Sequence, residues 1–322
     1  MRRQLRHGIP NNKRRSPCSR TRSPFLPCVE QGLAIEGPGP TRHEMDRHLL
    51  QRITIALTVA GVILLMWGYK NAEADPVVRS TTIALQGLPA GAKPIRLLLL
   101  ADLYAAGPDT PPKRISRIVA QANALHPDIV LLAGDFVAHK RLATSKPDFA
   151  AAVAPLQSLR APLGIYAILG NHDHWRGAEE AVTALRRVGV HVLNNEAAQA
   201  GPLAIGGVDD AFTGNDNVDA TVNAMDRLSG AKILLSHSPD VMPQVPSSIG
   251  LVVAGHTHCG QVAPPFLGPI VTMSRFDRRY ACGMVREGGK TLIVTSGIGT
   301  SIVPIRFGAI PDMWSITIRG RH

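Results

Sequence analysis

Between residues 97 and 258 the chain repeats one arrangement five times: a short apolar run that ends on a cluster of carboxylate, amide or imidazole side chains. Leu97 to Leu100 leads into Ala101-Asp102-Leu103-Tyr104, Ile129 to Leu132 into Ala133-Gly134-Asp135, and Ile165 to Leu169 into Gly170-Asn171-His172-Asp173. Ile233 to Leu235 then delivers Ser236-His237-Ser238, and Leu251 to Val253 delivers Ala254-Gly255-His256-Thr257-His258. Apolar runs this short, rich in Leu, Ile and Val, read as buried strands. Open α/β sheets place their ligands beyond the carboxyl ends of the strands. Five strands are therefore expected to aim five polar clusters at one edge.

The rest of the chain fits that plan. Further strand candidates are Val77 to Leu85, Leu203 to Gly207, Tyr280 to Arg286, Thr291 to Thr295 and Met313 to Ile318. The five motif strands themselves are expected over Ile95 to Ala101, Asp128 to Ala133, Gly164 to Leu169, Lys232 to Ser236 and Leu251 to Ala254. Pro111-Pro112 opens a helical stretch with Ile115, Ile118, Val119 and Ala122 at helical spacing, ending near His126-Pro127. Phe149 to Leu159, Ala178 to Val188 and Val218 to Leu228 read as helices too, and Glu287-Gly288-Gly289-Lys290 closes a hairpin. Strand-helix alternation early and hairpins late predict an α/β class with two facing sheets and helices outside.

The formal charge of +11 suggests a nucleic-acid binder until it is located. Residues 1–52 hold eleven Lys or Arg against four acidic side chains, so +7 of the charge lies there and only +4 is left for the remaining 270 residues. No nucleic-acid partner is expected. Residues 1–44, rich in Arg, Pro, Ser and Gly without apolar periodicity, read as a disordered basic leader. Met45 opens a natural start, Met-Asp-Arg-His-Leu-Leu-Gln-Arg, which makes the upstream tract an expected non-translated segment. The uncharged run Ile53 to Tyr69 is 17 residues, at the short end for a spanning helix. Residues 45–74 thus form a membrane anchor, with Arg47 and Arg52 on the cytoplasmic side and Trp67 and Tyr69 at the far interface. Alternatively they form a signal peptide, cut at the small-residue site Ala72-Glu73-Ala74. Either reading delivers residues 75–322 across the cytoplasmic membrane, in one case as a single-pass protein and in the other as a secreted one.

Taken in order, the five clusters resemble the calcineurin-like metallophosphoesterase family, whose signature is Asp-x-His, Gly-Asp, Gly-Asn-His-Asp or Glu, a lone His, and Gly-His-x-His. The likeness spans about residues 95 to 260, and Gly255-His256-Thr257-His258-Cys259-Gly260-Gln261 is similar to the bacterial branch that carries an N-terminal membrane segment. The resemblance implies a four-layer α/β/β/α sandwich of two mixed sheets over residues 75–322. It also implies two divalent ions (Mn, Fe, Zn or similar) about 3.5 to 4 Å apart. Asp135 would bridge them, Asp102 and His258 would hold the first, and Asn171, His237 and His256 the second. A hydroxide between the metals would attack phosphorus. His172 would serve the leaving group, oriented by Asp173. Gly134, Gly170 and Gly255 would let the backbone turn sharply behind the ligands. The substrate implied is a phosphomonoester, phosphodiester or pyrophosphate, as a phosphorylated small molecule or a lipid-linked one.

One letter departs from the pattern. Position 104 holds Tyr where the family has His. Tyrosine ligates as phenolate, and with an ordinary pKa of about 10 it needs a strongly Lewis-acidic metal to ionise. Three readings follow: an iron-tyrosinate centre, a weakened first metal position with residual activity, or a degenerate site that binds metal or phosphate without turnover. Beyond the motifs, His174 and Trp175 are candidates for the cleft lining, Asp209 and Asp210 read as a turn, and His126, His139 and His191 read as surface residues. Cys259 and Cys282 would meet an oxidising compartment, where they either pair or stay as packed thiols.

Overall fold

The computed structural model describes residues 42–89, 91–140 and 143–321. The chain divides into two units, 1–55 and 56–322. Of the first unit only the opening turns of helix α1 (Arg42–Glu73) are described, so the leader expected over residues 1–44 falls almost wholly outside the described residues. Its last three residues, Arg42 to Glu44, are helical. Within α1 the stretch Met45–Glu73 contains an 18-residue window of mean hydropathy 2.0 and is long and apolar enough to cross a membrane. No Pro interrupts it, and its stretch from Ile53 to Tyr69 carries no charge on any face.

The second unit is built on two six-stranded sheets. The first contains β1 (Val77–Leu85), β2 (Ile95–Leu100), β3 (Ile129–Ala133), β4 (Ile165–Ile168), β5 (His191–Val192) and the final strand β12 (Asp312–Gly320), in the order β1-β12-β2-β3-β4-β5. The second contains β6 (Glu196–Ala200), β7 (Leu203–Gly207), β8 (Ala231–Leu235), β9 (Leu251–Ala254), β10 (Gly283–Glu287) and β11 (Lys290–Val294), in the order β10-β11-β9-β8-β7-β6. Each has a parallel centre, β2 to β5 in one and β7-β8-β9-β11 in the other. Antiparallel pairings flank both centres. That arrangement sets the motif strands β2, β3 and β4 parallel in one sheet and β8 and β9 parallel in the other, each delivering its polar cluster at its carboxyl end.

Helices α2 (Pro112–Ala124), α3 (Phe149–Val153) and α4 (Asn171–Arg187) pack on the first sheet through Ile115, Ile118, Phe149 and Leu185. Helix α5 (Val218–Met225) covers the second through Val218 and Met225. Between the sheets, Leu97, Leu99, Leu131, Ile233, Val253 and Ile316 interdigitate in a core from which water is excluded. The layers are therefore α/β/β/α, as the sequence predicts. Differences lie at the margins. The helix expected over Ala178 to Val188 starts seven residues earlier, on Asn171 itself, with Gly177 at φ 134° interrupting it. Phe149 to Leu159 changes to a 3-10 turn at Ala154, and β5 and β6, whose runs are short or polar, have no period-2 signal. The hairpin at Glu287 to Lys290 forms as expected, with Gly288 and Gly289 both left-handed.

Leu99 lies at 0% exposure between the two sheets. Leu99→Ala is expected to lower unfolding stability by about 2–5 kcal/mol through lost burial and the cavity left behind. Denaturant titration of the variant beside the wild type measures the shift.

Candidate metal centre

Asp102, Asp135, His237 and His256 each lie two residues past the last residue of their strands, and Asn171 opens α4 just past β4. To turn its side chain inward at that point the backbone enters the left-handed region. Asp102 (φ 55°), Tyr104 (47°), Asp135 (56°), His256 (69°) and His258 (51°) all adopt it. For non-glycine residues this costs on the order of 1–3 kcal/mol each, and it persists only where neighbours over-determine the conformation. The neighbours do. The Asp173 carboxylate accepts from the amides of Asp135 (2.8 Å), Phe136 (2.9 Å) and Gly170 (3.0 Å), and the Asp102 carbonyl accepts from Gly299 N at 2.7 Å.

That bonding corrects one expectation. Asp173 sits in the first turn of α4 and points back toward the helix start, so it staples the Asp135 loop instead of orienting His172. The glycines also divide differently from expectation. Gly134 has the positive φ a sharp turn needs (82°), whereas Gly170 and Gly255 are required for space. A Cβ at Gly170 would lie 2.2 Å from Asp135 Oδ1, and one at Gly255 2.6 Å from Asp102 Oδ2.

Three potential ligand atoms surround a fourth. His237 Nε2 lies 3.3 Å from Asp135 Oδ2, 3.1 Å from Asn171 Oδ1 and 3.1 Å from His256 Nδ1. His237 Nδ1 meets the Ala133 carbonyl at 2.7 Å and His256 Nε2 meets the Met273 carbonyl at 3.2 Å. A carbonyl only accepts, so each of those nitrogens carries the hydrogen, and the other nitrogen of each ring faces the cluster. Asp102, Asp135 and His237 offer atoms within 4.8 Å of one another. On the far side of Asp135, Asp102 Oδ1 lies 3.7 Å from His258 Nε2, which is buried without a hydrogen-bond partner. Tyr104 occupies the adjoining place, its hydroxyl donating to Asp135 Oδ2 at 2.5 Å.

The electrostatics call for a cation. Burial and the neighbouring Asp135 push the Asp102 carboxyl up to about 7, against the pull of His237. Burial would raise Asp135 as well, but His237 outweighs it and holds that carboxyl well below its usual range. His237 is raised well above the ordinary histidine value because Asp135 overcomes its burial, while burial and His237 drive His256 down to about 4. Two carboxylates at 0% exposure, facing nitrogen and amide acceptors, are a donor set that divalent ions fit. Burial, Asp135 and Asp102 together keep the Tyr104 phenol protonated far beyond neutrality.

Several participants carry no motif signal. Arg306, fully buried, donates to the carbonyls of Ser296, Gly299 and Ala309 and stands 3.3 Å from His258 Nδ1, which burial and this guanidinium push well below the ordinary value. His139, expected at the surface, is exposed but sets its Nδ1 3.1 Å from His172 Nδ1, where one ring donates to the other. Trp175 lines the cleft and packs on His172 with ring centres 4.8 Å apart. His174 turns away to bond Asp209 at 2.7 Å, and Asp210 caps the turn through Phe212 N and Thr213 N. His126 and His191 are exposed, the latter stacked on Tyr166. Cys259 and Cys282 are joined, fixing the loop after His258 to the start of β10. The cleft over the cluster has a volume of about 780 Å³, with Tyr104, Asn171, His172, His256 and His258 in its floor.

Residues 95–260 match the family model described as calcineurin-like phosphoesterase. Two Bacillus subtilis (strain 168) proteins described as uncharacterized metallophosphoesterases are similar: YkuE is 28% identical over 281 residues, covering 83% of this chain and 93% of its own. YkoQ is 29% identical over 273 residues, covering 81% and 97%. A zebrafish (Danio rerio) transmembrane protein with metallophosphoesterase domain is 28% identical over 287 residues, which is 83% of this chain but 63% of that longer protein.

Gly170→Ala places a methyl group against Asp135 and is expected to weaken Mn²⁺ binding at least about tenfold, roughly 1.4 kcal/mol. Calorimetric titration reads the affinity, and an unchanged far-ultraviolet dichroism spectrum shows that the fold is kept.

Proposed function

The chain belongs to the calcineurin-like phosphoesterase family, and from that premise we propose that it is a membrane-anchored hydrolase of phosphoester bonds, with residues 75–322 as the catalytic part on the outer side. The observation that carries this reading is the gathering of Asp135 Oδ2, Asn171 Oδ1 and His256 Nδ1 within 3.3 Å of His237 Nε2. These four would hold one divalent ion, and Asp102, Asp135 and His258 the other. When bound, the pair supplies Lewis acidity that activates water and neutralises the phosphoryl oxygens. The anchor rests on the apolar helix α1 and on the transmembrane description of the zebrafish relative.

The chain's own groups do the rest. Asp135 faces both positions, kept in place by Asp173 through its amide and by His172 N, which donates to its Oδ1 at 2.8 Å. Burial holds His172 below the ordinary histidine value, so the neutral ring retains one N–H to donate to a phosphoryl or leaving oxygen. That N–H is on Nε2 when His139 Nδ1 donates to His172 Nδ1 across their 3.1 Å contact. Trp175 and Tyr104 flank the imidazole and keep bulk water from it. Tyr104 is the weak member. It donates to Asp135 Oδ2, the oxygen that would be shared between the two positions, and no nitrogen replaces the missing His of the first position, so that position binds less tightly than its neighbour. The same contact favours a second reading, a site that holds metal and phosphate without turnover.

Hydrolysis of bis(p-nitrophenyl) phosphate with Mn²⁺ separates the two. Turnover by the wild type is expected, with His172→Ala slower by about 10²–10⁴-fold. Tyr104→His is expected to raise the rate at least about tenfold and to add a resolved second equivalent of Mn²⁺ in calorimetry, a gain of roughly 1.4 kcal/mol in binding. Metal binding without turnover in any of the three proteins selects the second reading.

A further inference from the structure

The wall of the cleft is not what a site for small, charged phosphoesters needs. Above the polar floor stand Ile270, Val271, Met273, Ile302 and Val303, and the first four are 61%, 59%, 51% and 62% exposed. Beside them Phe266 projects fully into solvent and Leu267 is 63% exposed. Among the described residues outside α1, six of the twelve exposed large hydrophobic side chains fall within residues 266–276. Soluble surfaces rarely concentrate apolar groups in this way unless something covers them.

What covers them is indicated by the path from this wall to α1. The Phe307 ring packs on Trp67 with centres 5.6 Å apart, and Arg306 N donates to the Gly68 carbonyl at 2.9 Å. Phe307 in turn exchanges backbone bonds with Gln261 and Ala263, and Ile270 N donates to the Val262 carbonyl at 3.2 Å. Trp67 lies near the end of the apolar run, at the level an interfacial tryptophan occupies. The wall therefore begins where α1 leaves the apolar phase. Arg275 and Arg278 flank the apolar tip, exposed, a pairing of basic and aromatic side chains suited to an anionic lipid surface.

The groove is also held open. Gln261 Nε2 donates to the carbonyls of Val303 and Ile305, both at 3.1 Å, and its Oε1 accepts from Ser301 N at 3.0 Å, so one side chain ties the two wall loops together. The Met273 carbonyl bonds His256, which joins the wall to the floor.

We propose that the cleft takes an amphiphilic phosphoester from the bilayer, its phosphate over His172 and His256 and its hydrocarbon chain along Ile270, Val271 and Ile302. This rests on the phosphoesterase reading for the floor, but it concerns the wall. The test is calorimetric binding of two non-hydrolysable probes, ethylphosphonate and octylphosphonate, to the Mn²⁺-loaded full chain in amphipol. Octylphosphonate is expected to bind at least about tenfold tighter, roughly 1.4 kcal/mol, which burial of a few methylenes supplies. In Ile270→Asp/Ile302→Asp the preference is expected to fall below threefold while ethylphosphonate binding, which reports an intact floor, stays within about twofold. If the double variant loses ethylphosphonate binding, Ile302→Gln alone is scored on the same scale. Equal binding of the two probes by the wild type, or a preference that survives the substitutions, overturns the proposal. Failure of bis(p-nitrophenyl) phosphate hydrolysis with the octyl preference intact sinks turnover and leaves the wall. Turnover without the preference does the reverse.

Discussion

The Asp135 carboxylate is the constraint around which the rest is arranged. It is buried and charged, and in the proposed site it would serve both metal positions. A group of that kind survives in a protein interior only with fixed partners on every side. Oδ1 accepts from His172 N, Oδ2 from Tyr104, and His237 stands beside it. The parallel register of β2, β3 and β4, and the end of β8, bring those partners from three separate chain segments. Any residue larger than glycine at position 170 would occupy the space that the carboxylate fills.

The two metal positions then differ in how they are built. On one side, carbonyls of Ala133 and Met273 fix a hydrogen on the outer nitrogens of His237 and His256, so the inner nitrogens face each other across the cluster. On the other side a phenol hydrogen points at the shared oxygen, and a buried guanidinium, Arg306, lies behind His258. Positive charge at that place disfavours protonation of His258 and favours ionised Asp102. The asymmetry is a property of the protein alone. Its strained loops, left-handed at five site residues, are kept in shape by amide-to-carboxylate bonds from Asp173 and by the cystine after His258.

The wall above the floor follows from a different economy of burial. Residues 262–276 and 301–307 form few regular elements and leave their apolar side chains outward, yet Gln261 and the Met273 carbonyl hold them firmly to the ligand loops. Their backbone bonds run on to Phe307 and from there to α1. An apolar surface continuous with an apolar helix has a common solvent, and in that solvent its exposure carries no penalty.

Much of this was legible in the residues. An apolar run of three to five followed by a polar cluster reports both a buried strand and a ligand-bearing end, because solvation forbids an unpartnered Asp or His at such a place. Hence the clusters that hold Asp102, Asp135, Asn171, His237, His256 and His258 are legible at the ends of the apolar runs, while their ligand roles, and Tyr104 as a departure, follow only from the family resemblance. Local sequence did not disclose what distant backbone does. That Asp173 bonds amides 37 and 38 residues earlier, that His139 meets His172, and that Arg306 sits behind His258 depend on loop closure between elements far apart in the chain. The sequence alone determined which groups line the edge of the sheets, since burial and strand period are local. Only the tertiary structure decided which of them face one another and which surface the cleft opens toward, since those are relations between segments that no local pattern encodes.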